Sequence, residues 1–408
     1  MERPLVLIVR GGGRAFREYM YKAMSSQYRL HYLTGVEPTW EKEYVTAWTV
    51  AEDTTELDDA LAAARAIHEA TPLDGVVTWD EARVVHAAHI AEQLGLPGPG
   101  AAAAMRCRDK HQTREALAAA GVPQPRSIQV TSLEEARQAA AGIGYPVVVK
   151  PSDLLLSMGV VAVDTPGGLD AAYAAATSVA VPGRADYVAR PLVEERVTGY
   201  EISVDCSVHE GEVTVLCLAR KRVGFPPYCV EIGHTVDAAD PLLTDAELLK
   251  VLHDAHAALG YRTGNTHTEI MMTPDGPRII EVNGRVGGDL IPYLGELATG
   301  VDTGLNACAV ACGQPPSAEP ARGRVAGVRF FWAEHDGTVI ESVRFDFGPS
   351  GQPAAIDQLS AFAKPGSVRG PAKGTFDGRI ALATAVGESL AEVEAALDAA
   401  GAALRVNA

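Results

Sequence analysis

The stretch that decides the fold is Arg278-Ile-Ile-Glu281-Val-Asn283-Gly-Arg285-Val-Gly-Gly288-Asp289. A second apolar stretch lies upstream of it, Thr266-His-Thr-Glu269-Ile-Met-Met272. Both are rich enough in apolar and β-branched residues to predict strands, and the segment between them, Thr273-Pro-Asp-Gly-Pro277, predicts a turn. The two stretches therefore predict a β-hairpin that carries two carboxylates, an amide and a guanidinium.

The turn sets the register of this hairpin. Pro274-Asp-Gly276 suits a type I turn followed by a left-handed residue, which makes a three-residue loop. Such a loop pairs Thr273 with Pro277, and therefore Glu269 with Glu281. Directly paired residues of an antiparallel ladder share one face of the sheet, whereas a two-residue loop would place the glutamates on opposite faces.

Asn283 lies two residues beyond Glu281, so it shares the predicted face with both glutamates. Two aligned carboxylates repel each other unless a cation lies between them, and ligation by oxygen alone suits Mg²⁺ that bridges to substrate phosphates. We therefore predict that Glu269, Glu281 and Asn283 bind magnesium, expected as two ions, at a site for ATP chemistry. A solvated polar strand face is the alternative.

Chain length and charge limit the class of protein. The 408 residues suffice for two or three domains, and the 47% apolar content supports buried cores. A net charge of −17 disfavours a general binder of nucleic acid or of anionic membranes. No stretch has the length and apolarity of a membrane span, and the start of the chain lacks a signal-peptide pattern. A cytoplasmic location is expected.

The first hundred residues alternate between strand and helix patterns. Leu5–Val9 predicts a buried strand and Arg14–Ser26 a helix, and this βαβ order implies a parallel sheet. The glycines after the first strand predict a tight strand-to-helix turn, because the further spaced glycine of a dinucleotide fingerprint is missing. Pro97-Gly-Pro-Gly100 marks a domain boundary.

The middle of the chain predicts further strands. An apolar strand ends in Lys150. The strands that follow predict one antiparallel unit: Val160–Asp164, Tyr187–Pro191, Tyr200–Val208 and Val213–Leu218. In the third of these strands, Glu201, Ser203 and Asp205 face one way, and a solvated face is expected for the residues after Glu201.

Several motifs in a characteristic order resemble those of ATP-grasp enzymes, over about residues 105 to 300: Lys110, Lys150, Glu194-Glu195-Arg-Val197-Thr-Gly-Tyr-Glu201, Glu269, and Glu281-Val-Asn283-Gly-Arg285. The resemblance implies an α/β ATP-grasp fold. It comprises a Rossmann-like pre-ATP-grasp domain with a parallel sheet (1–104), an ATP-grasp domain of two α+β subdomains that clasp ATP (105–312), and a C-terminal domain with a lid region (313–408).

The same resemblance implies the residues that bind ATP. Lys110 and Lys150 would contact phosphates, although an ordinary surface charge on a helix is the alternative for Lys110. A phosphate-covering loop, a hinge that binds adenine and a ribose-binding carboxylate would follow along the chain. The residues implied for these three parts are Ser157 and Gly159, then Glu194, Glu195 and Val197, and finally Glu201.

A substrate segment comes next, from Arg220-Lys-Arg222 to Glu231-Ile-Gly-His234. It is similar to the corresponding segment of the dipeptide-forming L-amino acid ligases of the alanine–anticapsin ligase type. That resemblance implies that Glu231 holds an amino-acid ammonium and that His234 lies in the same pocket. An ion pair between Glu231 and Arg222 is the alternative. Arg285 would stabilise the transferred phosphoryl group, and Gly287 and Gly288 would let the backbone approach the reacting carboxylate.

The function implied by the resemblance is an ADP-forming carboxylate–amine ligase of natural-product biosynthesis, which uses ATP and Mg²⁺ and forms an amide bond through an acyl phosphate. Glu231 or His234 would accept the proton of the incoming amine. Its partners would be small-molecule carboxylates and amines, without nucleic acid or membrane, and a homodimer is an assembly that the sequence allows. The alternatives are a biotin-carboxylase-like or purine-pathway enzyme and a non-catalytic ATP-binding protein.

Overall fold

The computed structural model describes residues 2–51, 53–154, 158–178, 190–226, 230–371 and 378–408. The helices are α1 (Arg14–Gln27), α2 (Leu57–Ala70), α3 (Val84–Gln93), α4 (Ala101–Arg108), α5 (Lys110–Ala119), α6 (Leu133–Ile143), α7 (Leu169–Thr177), α8 (Ala246–Leu259), α9 (Ile291–Thr299), α10 (Thr303–Ala311) and α11 (Leu390–Ala403). Short 3₁₀ turns cover Trp40–Glu43, Glu81–Arg83, Pro166–Gly168, Pro241–Thr244 and Gly348–Ser350.

The strands are β1 (Leu5–Val9), β2 (Arg29–Thr34), β3 (Ala47–Val50), β4 (Gly75–Val77), β5 (Ser127–Gln129), β6 (Val147–Pro151), β7 (Val161–Val163), β8 (Pro191–Glu195), β9 (Tyr200–His209), β10 (Glu212–Gly224), β11 (Val230–Asp237), β12 (Gly264–Thr273), β13 (Gly276–Asn283), β14 (Val325–Trp332), β15 (Thr338–Val339), β16 (Ser342–Phe345), β17 (Ile356–Ala361), β18 (Val368–Arg369), β19 (Arg379–Gly387) and β20 (Leu404–Asn407). None of the helices in the described ranges is long and apolar enough to cross a membrane.

The N-terminal sheet is parallel, as predicted, with the strand order β3-β2-β1-β4. All five residues of β1 are buried, because helices cover both faces of such a sheet. The sequence prediction did not include β3, an edge strand whose side chains are only half-buried or exposed. The residues after β4 lie at the carboxyl edge of the sheet, and one of them, Glu81, contributes to the candidate site.

A second, antiparallel sheet has the order β5-β8-β6-β7 and positions Lys150 and Glu194. The four strands predicted as one antiparallel unit divide between this sheet and a third one, so that the single-unit prediction is wrong. Tyr187–Pro191 lies mostly outside the described residues. β8 begins only at Pro191 and pairs along β6, which places Glu194 opposite Val148.

The third sheet has eight strands in the order β13-β12-β9-β10-β11-β14-β19-β17. Helices α5 and α8 share a core with β9, β12 and β13, whereas α9 packs against β10, β11 and β14. The strands β14, β17 and β19 belong to the C-terminal region, yet they extend the same sheet. The domain boundaries at 104 and 312 remain predictions.

The hairpin β12–β13 has the predicted glutamate pair but not the predicted loop. Thr273 pairs with Gly276, so the loop has two residues and the three-residue prediction is wrong. The register then shifts between Ile270, which pairs with Ile279, and Glu269, which pairs with Glu281. A β-bulge adds one residue to one strand, which returns both glutamates to one face.

Candidate active site

The hairpin carries the predicted metal ligands, and lysines neutralise two of them, Glu269 and Glu281. Lys110 Nζ lies 2.9 Å from Glu281 Oε1 and donates to the Leu154 carbonyl at 2.7 Å. Lys221 Nζ lies 3.0 Å from Glu269 Oε2. Lys110 is buried rather than an ordinary surface charge, because the loop after β6 covers it. Each of the two glutamates thus has a lysine as its positive partner.

Asn283 and Arg285 contact the N-terminal region through Glu81. Arg285 Nε lies 2.6 Å from Glu81 Oε2. With its nitrogen turned toward them, the Asn283 amide lies 3.2 Å from Glu81 Oε2 and 3.3 Å from Glu281 Oε1. The sequence prediction missed Glu81, although its place after β4, at the carboxyl edge of a parallel sheet, was a usable signal.

Glu194 is buried between two cations, Arg114 and Lys150, the second of which is predicted to bind phosphate. Its carboxylate accepts from Arg114 Nε at 2.8 Å and lies 2.6 Å from Lys150 Nζ. Burial raises the pKa of Glu194, but Arg114 and Lys150 lower it to about 2. Burial lowers the pKa of Lys150 in spite of its carboxylate partner. This cluster therefore has one more positive than negative group.

The covering loop and the hinge contain the next residues predicted to bind ATP. Glu195 is part-exposed and lies 3.3 Å from Arg126, and Val197 is half-buried in the segment that joins β8 to β9. Gly159 has a φ of +72°, a conformation that glycine adopts without strain, so the predicted loop does turn there. Ser157 lies outside the described residues.

Lys221 is the centre of a second cluster. Its Nζ lies 2.8 Å from Glu201 Oε1, 2.7 Å from Glu231 Oε1 and 3.0 Å from Glu269 Oε2. Burial lowers the pKa of Lys221, yet the three carboxylates raise it well above its usual value. Glu231 therefore pairs with Lys221, whereas Arg222 pairs with Glu394 at 3.1 Å, which rules out the Glu231–Arg222 pair.

His234 and Asp289 lie beside Glu231. His234 has no exposed side-chain surface, and its Nε2 lies 3.5 Å from Asp289 Oδ2 and 3.8 Å from Glu231 Oε2. Arg379 from the C-terminal region donates to both Asp289 oxygens at 2.7 Å and to the Glu231 carbonyl at 3.0 Å. Its guanidinium carbon lies 3.7 Å from the centre of the Phe330 ring. Burial raises the pKa of Asp289, but Arg379 and His234 lower it more, so that this pKa lies well below its usual range.

The glycine turn after Arg285 is held from both sides. Arg17 donates to the Gly287 carbonyl at 3.0 Å, and the Gly287 N–H donates to Asp205 at 3.0 Å. A Cβ on Gly287 would lie 3.0 Å from Asp205 and His267, whereas one on Gly288 would meet no described atom within 4 Å. The turn thus fits closely at Gly287 and is open at Gly288.

Asp205 corrects an expectation about β9. The residues after Glu201 were expected to face solvent, but Asp205 is 1% exposed and Ser203 is fully buried. The Gly287 turn and His267, whose Nδ1 lies 2.7 Å from Asp205, cover this face. Alternation along one strand could not predict a cover that comes from residues 62 and 82 positions away.

The residues present fit ATP with magnesium. Glu269, Glu281 and Asn283 offer the hard oxygen donors that Mg²⁺ prefers. Lys110 and Lys150 are buried, and their positive charge suits an anion such as a phosphate. The second cluster has a surplus of carboxylates: Glu201, Glu231 and Glu269 place oxygens within 4.8 Å of one another around Lys221. The arrangement can therefore hold an anionic nucleotide and, next to it, cationic groups.

Two family descriptions match the chain. Residues 143–292 match the ATP-grasp domain, and residues 36–98 match the ATP-grasp N-terminal domain.

The chain is also similar in sequence to individual proteins. It is 30% identical over 349 residues to the uncharacterized protein y4rH of Sinorhizobium fredii (strain NBRC 101917 / NGR234), a match that covers 83% of this chain and 70% of that protein. It is 30% identical over 241 residues to alanine–anticapsin ligase of Bacillus subtilis (strain 168), with 54% of this chain and 50% of the ligase covered. The chain thus spans about half the length of that ligase.

A solved structure has the same fold. The crystal structure of L-amino acid ligase from Bacillus licheniformis superposes with a TM-score of 0.82 at 22% identity, and the match covers 100% of this chain and 99% of that one. At this identity the likeness establishes the architecture, and the activity has to be argued from the site.

Proposed function

Because the chain belongs to the ATP-grasp family, we propose that it is an ADP-forming ligase, which activates the carboxylate of an L-amino acid with ATP and joins it to an amine. The similarity to alanine–anticapsin ligase supports an amino acid as one substrate. The product would be a dipeptide or a related amide, formed from free small molecules.

One observation carries this proposal. The oxygens of Glu231, the candidate ammonium-binding group, and of Glu269, a candidate metal ligand, lie within 4.8 Å of each other. In an α-amino acid, the ammonium and the carboxylate are separated by a single carbon. A donor whose ammonium binds at Glu231 would therefore place its carboxylate beside the metal and the terminal phosphate of ATP.

The residues have separate roles in ATP binding. Lys110 and Lys150 would bind phosphate oxygens, with Gly159 in the covering loop. The hinge from Glu194 to Val197 would contact adenine, and Glu201 the ribose. Mg²⁺, held by Glu269, Glu281 and Asn283, would neutralise phosphate charge and orient the terminal phosphoryl group.

The proposed reaction has two steps. A carboxylate oxygen of the donor attacks the terminal phosphorus of ATP, the bond to ADP breaks, and an acyl phosphate forms. Arg285 would stabilise the charge on the phosphoryl group during transfer. The amine then attacks the acyl carbon, and phosphate leaves. The proton of the incoming amine would pass to Glu231 or to His234. Glu231 would be reached first, because its side chain is partly exposed whereas that of His234 is buried.

The discriminating experiment measures ADP release with pairs of amino acids, followed by the mass of the product. We expect ADP release that depends on an amino acid and a product lighter by one water than its two substrates. ADP release driven by bicarbonate instead would favour the carboxylase alternative, and ADP release with no donor at all, or none with any donor, would contradict the ligase proposal.

Substrate selection tests Glu231 itself. A site built around an ammonium disfavours an analogue without it. Because Lys221 pairs with Glu231 even when no ammonium is bound, the preference should be smaller than the roughly 10⁴-fold found where a polar partner is left buried and unpaired. Wild type should therefore prefer an amino acid over its des-amino analogue, and Glu231→Gln should lose most of that preference. Equal use of both donors by wild type would make the protein a general carboxylate ligase.

A further inference from the structure

Lys221 lies where three functions of the site meet. It stands on β10, directly opposite His234 on β11, and its side chain has no exposed surface. Its three carboxylate partners come from different strands: Glu201 from β9, Glu231 from β11 and Glu269 from β12. The proposed function assigns these partners to ribose, to the donor ammonium and to the metal.

The number of carboxylate partners distinguishes Lys221 from the other two buried lysines of the site, Lys110 and Lys150. Lys150, a buried lysine on β6, has one carboxylate neighbour, Glu194, which it shares with Arg114. Lys221 has three, each within 3.0 Å. One ammonium cannot neutralise three carboxylates, so this cluster keeps a surplus of negative charge that additional cations would relieve.

We propose that Lys221 is a positioning residue that acts as an internal substitute cation: it holds Glu231 and Glu269 in place before substrates bind and releases them to the donor ammonium and the divalent metal. The inference rests on the proposed function, because it adopts the roles given there to Glu231 and Glu269. The flexible lysine stem and its three rotatable donors allow this exchange, since the ammonium can turn to Glu201 when the other two carboxylates gain new partners.

The exchange has a thermodynamic consequence. The charge of Lys221 opposes metal binding, whereas its contacts with the three carboxylates stabilise the protein before a metal binds. Removal of that charge should therefore make the site bind a divalent metal more tightly and make the protein less stable without one. A lysine that only fills space would change stability but not the affinity for the metal.

The test uses Mn²⁺ alone, without ATP or amino acids, on Lys221→Met and wild type. Mn²⁺ binding is followed by electron paramagnetic resonance, and the melting temperature is measured with chelator and with saturating Mn²⁺. We expect Lys221→Met to bind Mn²⁺ about tenfold more tightly or better and to gain more melting temperature from Mn²⁺ than wild type does. Unchanged Mn²⁺ affinity together with an equal gain would overturn the proposal.

Lys150→Met is the matched control, because it also removes a buried lysine, but Arg114 still neutralises Glu194. Its affinity for Mn²⁺ alone should equal that of wild type, and tighter binding there would contradict the assignment to Lys221. If Lys221→Met does not fold, Glu201→Gln is the second test. This variant removes one partner of Lys221, so Lys221 should bind Glu231 and Glu269 more strongly and Mn²⁺ should bind more weakly than to wild type. Unchanged Mn²⁺ affinity in Glu201→Gln would overturn the proposal. These measurements involve no amino acid, so a failed ligase assay leaves them interpretable.

Discussion

Two buried charge clusters in the same site are arranged in opposite ways. On the phosphate side, Glu194 lies between the cations of Lys150 and Arg114. On the donor side, the single cation of Lys221 lies among three glutamates. The first cluster has a positive surplus and is buried throughout. The second has a negative surplus, and its lysine is buried whereas its three glutamates are partly exposed.

The difference indicates which ligands each side can accept. A buried charge is tolerated when partners neutralise it, and a surplus of one sign favours a ligand of the other. The positive surplus suits the triphosphate of ATP, and the negative surplus suits a metal ion and an ammonium. The border between the clusters, where Lys110 contacts Glu281, is where phosphoryl transfer would occur.

The largest effect is expected at this border, from Arg285→Ala. A group that stabilises the transferred phosphoryl acts mainly in the transition state, so turnover should fall by about 10²- to 10³-fold while the KM for ATP changes little. Steady-state kinetics at saturating donor measures both constants. Unchanged turnover with a raised KM for ATP would make Arg285 a ground-state ligand on the phosphate side.

A second prediction concerns the phosphate cluster alone. Lys150→Met should raise the KM for ATP by roughly tenfold to a hundredfold and leave the KM for the donor unchanged, because a charged hydrogen bond to phosphate is lost. The surface lysine Lys250, which pairs with Asp254 on α8, is the control, and Lys250→Met should behave like wild type. A raised donor KM in Lys150→Met would mean that the two clusters are not separate.

The sequence predicted the parts of the site that lie close together along the chain. Glu269, Glu281 and Asn283 belong to one hairpin, so strand alternation could place them on one face. The prediction reached the correct pair through the wrong loop, since it assumed three loop residues without a bulge. Two deviations of one residue cancelled, and only the paired structure could reveal the second one.

Strand alternation could not predict the ion-pair partners that set the net charge of each cluster. Lys221 was visible in a basic cluster, but its three carboxylates come from strands that meet only in the folded sheet. Arg379 is 90 residues from Asp289, and Glu81 is more than 200 residues from Arg285. Contacts at such separations follow from topology, and neither strand alternation nor motif spacing encodes them.

A third prediction uses Arg379 to test whether the C-terminal region belongs to the donor side. Arg379→Lys cannot donate two parallel hydrogen bonds to Asp289, so the donor pocket beside Glu231 should loosen and the donor KM should rise several-fold, to about tenfold at most. The KM for ATP should not change. Arg329→Lys is the control, because Arg329 pairs with Glu394 and Asp398. Equal effects of the two variants would indicate a general loss of packing.

The smallest effect is a dependence of stability on pH that belongs to the phosphate cluster. The pKa of Glu194 is about 2 in the folded protein, below the value of about 4.3 expected when unfolded. A lowered folded pKa stabilises the protein above the unfolded value, and this stabilisation is lost as the pH falls through the folded value. Urea unfolding of wild type and Glu194→Gln should therefore show a stability difference that shrinks by about 0.6 kcal/mol between pH 6 and pH 4. The neighbouring Glu195 is part-exposed and 3.3 Å from Arg126, so Glu195→Gln should show a much smaller change. If the Glu194→Gln difference stays constant over this pH range, then Arg114 and Lys150 do not lower the pKa of Glu194, and the charge arrangement described for this cluster is wrong.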